Sequence, residues 1–188
     1  MSIRNTDEAY GVVARILHWV IGLSIIGMLC LGLYMDALPK DDLNRDALYG
    51  FHKAFGLVIL FAVGVRVVWF FVNFGKPKPL PTHSKLEVVA AKGAHIVLYL
   101  LMIGVPLSGW VMSSAYGFPV DLFGMKFSIV AERDIALARN AGDAHEILAY
   151  VMIGVIVLHV AGALKHVIID KDNTLRRMTC GNCGDRDA

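Results

Sequence analysis

The sequence predicts an all-α integral membrane protein, a bundle of four spanning helices, and three observations carry that prediction. Hydrophobic residues make up 56% of the 188-residue chain and the mean hydropathy is +0.59, too apolar for an ordinary soluble domain of this size. Charged residues are only 18% of the chain and fall in clusters between long apolar runs. Each of the four runs is long enough to cross a hydrocarbon layer of about 30 Å as a helix.

The runs are 11–35, 52–74, 91–113 and 145–169. A lipid environment leaves no water for backbone groups, so a span is either a helix or part of a closed barrel, and long uniform runs without alternation fit the helix. Pro106 inside the third run is tolerable there, as Pro and Gly are in membrane helices. Residues 1–188 read as one domain, with 170–188 as a tail. No secretory leader is expected: Arg4, Asp7 and Glu8 precede the first run, no small-residue cleavage site follows it, and the run is long enough to span. No internal repeat is visible.

Basic residues set the orientation. The amino end, the second connection and the tail hold Arg4, Lys76, Lys78, Lys85, Arg176 and Arg177, whereas Lys40, Lys126 and Arg139 in the opposite loops are diluted by Asp and Glu. Both termini should therefore be cytoplasmic. The stretch KPKPLP at 76–81 reads as a stiff linker. The long outer loop, 114–144, reads as holding a short interfacial helix at 132–140. A net charge of +2 gives no argument for nucleic acid. Cys30, inside the first run, reads as a small packed hydrophobe. Cys180 and Cys183 form CGNC, but no further metal ligand lies near them in sequence, so the tail reads as reduced and solvated.

The histidines carry the chemistry. Of the 7 in the chain, only His83 lies in a loop, where it reads as solvated. An ionisable residue inside a membrane is costly without a partner and marks a functional site by default. His145 and His159 are 14 residues apart, which returns them to within about 40° of one helix face and separates them by about 21 Å along the axis. One face thus offers an imidazole near each membrane surface, which suits two metal centres rather than one compact site. The alternating direction of the spans pairs His52 with His145 on the outer side and His18 with His159 on the cytoplasmic side. Two imidazoles from facing helices, with an apolar slot between them, suit a flat porphyrin. Spacing alone leaves His95 open in place of His18.

Gly22, Gly27, Gly32, Gly56, Gly64, Gly154 and Gly162 lie in the histidine-bearing spans. Small residues let a ring approach the backbone, and they equally let helices pack on each other. Arg66 is a lone charge 14 residues after His52, hence on the same face at cytoplasmic depth. A buried cation needs an anion, which a haem propionate would supply; snorkelling to the surface is the alternative. Arg15 is a weaker candidate for the same role. His95 lies one turn inside the third span, and His166, seven residues past His159, lies about 10 Å nearer the cytoplasm. Both can serve one pocket where a quinone takes hydrogen bonds and protons, since imidazole supplies both; the alternative is two histidines facing water or headgroups.

The pieces RILHW around His18, FHKAFG at His52, AHIVLYLLMIGVPLSGW from Ala94, HEILAYVMIGVIVLHVAGALKH on the last span and KDNTLRRM at 171–178 together resemble the bacterial cytochrome b561 family of the short four-helix type. The resemblance runs from about Arg15 to Met178. It implies two b-type haems inside the bundle, one on His18 and His159 and one on His52 and His145. It also implies ubiquinone near His95 and His166, a bacterial inner-membrane location, and oxidation of superoxide at the outer face with the electron passing to quinone. An anionic substrate is best steered by a basic entrance. Here both outer loops are net acidic, and Lys53 and Lys126 are the nearest attractors.

The reading is a transmembrane electron wire, with no residue assigned as catalytic and no protein partner identified. A membrane-anchor cytochrome b, relaying electrons for a dehydrogenase or a small cytochrome, is the rival within electron transfer. A histidine-lined transporter is the rival outside it, and the near absence of Asp and Glu within the spans argues against that.

Overall fold

In a computed structural model, which describes residues 2–74, 76–80 and 84–180, the expected all-α membrane architecture is present. Four helices are long and apolar enough to cross a membrane: α1 (Val12–Ala37), α2 (Arg45–Val72), α3 (Lys85–Ala115) and α4 (Ile135–Ile168). A short helix, α5 (Thr174–Thr179), follows. His83 and Cys183 lie outside the described residues.

The helices are longer than the apolar runs because polar turns extend them. α2 begins at Arg45, with Asp46 in its first turn complementing the helix dipole, and α3 begins at Lys85. Ser84 caps α3: its hydroxyl accepts the Glu87 amide at 3.2 Å, and a Glu87 carboxylate oxygen accepts the Ser84 amide at 2.8 Å. The interfacial helix read at 132–140 is corrected, since α4 itself begins at Ile135 and runs unbroken into the span. Asp134 accepts the Leu137 amide at 3.0 Å, which fixes that start. The outer loop instead carries a hairpin of β1 (Val120–Leu122) and β2 (Met125–Phe127), antiparallel, with Asp121 opposite Lys126. Its tight turn needs positive φ at both central residues, Phe123 (55°) and Gly124 (82°).

Very little of each helix is buried by protein. Only 11% of the apolar window in α1, α2 and α3, and 6% in α4, is buried. Leu23, Phe61, Leu100 and Leu158 all stand exposed. In water, each such side chain would forgo about 1.5–3 kcal/mol of burial. Lipid removes that cost, so the exposed apolar surface is a membrane surface. Cys30 is exposed on α1 and not packed as expected. α1 is apolar all round its middle, so pattern alone could not tell its protein face from its lipid face.

The described residues cluster into two compact units. The first holds Met1–Val20, Gly64–Leu98 and Gly154–Ala188; the second holds Ile21–Val63 and Tyr99–Ile153. In the first unit the amino segment, the α2–α3 connection and the tail are knotted by polar contacts. Asp7 pairs with Lys76 at 3.3 Å and Lys78 at 3.1 Å. Arg177 donates to the carbonyls of Glu8, Asp7 and Lys78. Trp19 donates to the Met178 carbonyl at 3.1 Å and Arg15 to that of Thr179 at 2.7 Å. The KPKPLP linker is thus tied to its neighbours. Gly11 is obligatory in this knot, because a Cβ there would lie 2.3 Å from the Ile3 carbonyl oxygen.

Hydrogen bonds from Lys78 and then Lys76 hold the Asp7 carboxyl below its ordinary range. A depressed folded pKa means the contribution is present at neutral pH and is lost as pH falls through the lowered value. Asp7→Asn should therefore speed proteolysis of the amino segment at pH 7, with the gap from wild type closing as both are acidified below the carboxylate range.

Candidate functional site

In the second unit, α2 presents His52 and α4 presents His145, with ring centres 6.2 Å apart. Each has a distinct setting. The Nδ1–H of His145 donates to the Val105 carbonyl oxygen at 2.8 Å, since a carbonyl only accepts. That bond fixes the tautomer and leaves Nε2 with its lone pair, the form that ligates a metal. Ser108 reinforces the arrangement, its hydroxyl donating to the same carbonyl at 2.8 Å and lying 3.3 Å from Nδ1. Gly109 supplies the room: a Cβ there would fall 2.9 Å from His145 Cε1 and 3.0 Å from Nδ1. His52 Nδ1 is buried with no hydrogen-bond partner among the described residues. Such an orphan costs about 1–3 kcal/mol unless something in the site satisfies it. Both imidazoles line a cavity of about 290 Å³, walled mainly by apolar side chains such as Ile25, Leu29 and Met102 together with Gly32 and Gly56.

In the first unit, α1, α3 and α4 bring three histidines together. His18 and His159 have ring centres 6.1 Å apart, and His95 and His159 5.3 Å. Two imidazoles bound to opposite faces of one metal ion, each nitrogen about 2 Å from it, place their ring centres about 6 Å apart. The His18–His159 and His52–His145 couples meet that spacing and the His95–His159 contact is too short for it. This favours His18 over His95 as the partner of His159. Arg66 of α2 reaches the same place, donating to His18 Nδ1 at 3.0 Å and to the Leu17 carbonyl at 3.3 Å. Because Arg only donates, Nδ1 of His18 is the acceptor here, so the ring proton sits on Nε2. Were Nε2 to hold a metal, the ring proton would sit on Nδ1 and Arg66 would need another acceptor.

His166, at the end of α4, meets neither couple among these contacts. Its Nδ1 lies 2.9 Å from one oxygen each of Asp170 and Asp172.

Paired imidazoles in apolar, glycine-lined settings on membrane helices define the class: a b-type cytochrome of the membrane. A family model described as prokaryotic cytochrome b561 matches residues 9–181, and the chain belongs to that family. Among curated relatives, cytochrome b561 homolog 2 of Escherichia coli K12 is 37% identical over 180 residues, covering 95% of both chains. The probable superoxide oxidase CybB of Yersinia pestis is 32% identical over 127 residues, covering 68% of this chain and 72% of its own. Cytochrome b561 homolog 1 of E. coli K12 is 29% identical over 106 residues, covering 56% and 60%. The protein is accordingly a multi-pass protein of the bacterial inner membrane that takes part in membrane electron transfer, and the family implies b-type haem.

The residues fit that group. The donor set is imidazole, the orphaned His52 nitrogen faces a need for a partner, and a Cβ at Gly22, Gly27, Gly56, Gly64, Gly154 or Gly162 would meet nothing within 4 Å. Gly109, Ser108 and Val105 were not legible as support for His145, because α3 contributes no ligand of its own to that couple. The only sequence signal was the PLSG run that begins at Pro106.

Gly109→Ala should crowd the His145 ring and weaken haem retention at that couple by about tenfold or more. Gly93→Ala, whose Cβ meets nothing, should leave it unchanged. Haem per chain in the purified variants measures both.

Proposed function

We propose that the chain carries electrons across the membrane from superoxide at the outer face to ubiquinone, through two b-type haems. His52 and His145 are the axial ligands of the outer haem, and His18 and His159 those of the inner one. Ubiquinone is reduced near His95 and His166, and both termini are cytoplasmic. The observation that carries this reading is that the two histidine couples share one spacing, 6.2 and 6.1 Å, which fits a metal between each.

When bound, haem supplies reversible one-electron chemistry. The protein's own residues do the rest. The Val105 carbonyl keeps the His145 proton on Nδ1, so Nε2 faces the ligand role without competition. Arg66, a cation inside a span that donates to His18 and to the Leu17 carbonyl, would also suit a propionate of the inner haem.

Superoxide as donor is supported by the name of the Yersinia relative, a probable superoxide oxidase. Two lysines were candidate attractors for the anion. Lys126 stands directly opposite Asp121 across the hairpin, which offsets its charge. Lys53 lines the cavity with His52, alongside Asp36 and Glu146. Lys53 is therefore the attractor in this reading, working against two nearby carboxylates.

Purified protein given enzymatically generated superoxide and ubiquinone should form quinol with no protein partner present. Lys53→Gln should lower kcat/KM for superoxide several-fold, with a weaker salt dependence than wild type. Quinol formation that requires an added dehydrogenase or small cytochrome would instead establish the membrane-anchor reading.

A further inference from the structure

The proposal concerns how the proposed quinone site obtains its protons, and it rests on that reading. The α4–α5 connection folds back on the end of α4. Lys171, at φ 52°, takes the left-handed conformation that residues other than Gly seldom adopt. The turn brings the Asp172 amide onto the His166 carbonyl at 3.0 Å and the Asp172 carboxylate onto the His166 ring. The two oxygens of Asp172 are divided. Oδ1 accepts the Thr174 amide at 2.7 Å, while Oδ2 lies 2.9 Å from His166 Nδ1. The side chain of Asp172 is only 9% exposed and that of His166 17%. Asp170 Oδ2 also lies 2.9 Å from the same nitrogen. Asp170 is in turn held by Lys165 at 2.7 Å, and Lys165 by Glu87 of α3 at 2.7 Å. Asp170, Asp172, Lys165 and Glu87 are thus linked to the ring in one chain of contacts.

A carboxylate can only accept from Nδ1, so the two aspartates hold a proton on that nitrogen. That leaves Nε2 as the nitrogen able to take up a proton and pass it on. We propose that Asp172, held by the Thr174 amide and assisted by Asp170, is a positioning residue that makes His166 the proton donor in quinone reduction. Reducing a quinone to quinol takes two electrons, delivered along the haem route, and two protons, each forming an O–H bond at a carbonyl oxygen. His166 Nε2 takes a proton from water at the end of α4 and passes it to one oxygen, and the other oxygen takes its proton from water directly. Asp172 gives up no proton and keeps the ring in its donating orientation.

The test uses haem-loaded protein, reduced with stoichiometric dithionite and reoxidised by a short-chain ubiquinone in H2O and in D2O. Asp172→Asn retains an oxygen for the Thr174 amide but loses the charge. It should keep full haem content and wild-type quinone affinity by equilibrium dialysis, slow reoxidation about tenfold, and raise the solvent isotope effect. Asp172→Glu should recover part of the rate. Wild-type rate and isotope effect in Asp172→Asn would overturn the proposal, as would a loss confined to quinone affinity. If quinone does not reoxidise the wild-type protein at all, the quinone reading itself fails and takes this inference with it.

Discussion

The structure depends on one constraint: a polar group inside hydrocarbon must be given a partner. The spans have almost no acidic residues, so the imidazoles inside them cannot be answered by carboxylates. They are answered by each other, by backbone carbonyls and by one arginine. His145 uses the Val105 carbonyl, and His18 takes a donor from Arg66. His52 Nδ1 has no hydrogen-bond partner among the described residues. A metal held between facing rings is what we propose each couple is built for, and the family model points to the same b-type cytochrome.

His166, in the last turn of α4, makes the same point by contrast. There the carboxylates of Asp170 and Asp172 are available, and the imidazole uses them. A histidine satisfied by aspartates is suited to moving protons, and one satisfied by carbonyls or by a metal is suited to holding a redox group. In the proposed reading the chain uses one residue type for two purposes and separates them by what surrounds each ring.

Much of this was legible in the residues themselves. The four apolar runs and the 14-residue spacing of His145 and His159 were sufficient to place spans and to suggest facing couples, because helix geometry converts spacing directly into face and depth. The ends of the helices were not legible, since polar turns at Arg45, Lys85 and Ile135 carry no hydropathy signal. The hairpin was missed because its turn places Phe123, a poor turn former, at positive φ. Gly109 escaped notice because its role depends on a ring carried by another helix. The Asp172–His166 contact depends on a left-handed Lys171, which sequence does not announce.

The central claim is that each couple, His52 with His145 and His18 with His159, clamps one haem through two imidazoles. Haem per polypeptide, measured together with electron paramagnetic resonance of the oxidised protein, tests it most directly. The account predicts two haems per chain, both low-spin with nitrogen on each axial side. One haem per chain, or a high-spin iron with an open axial position, would contradict it.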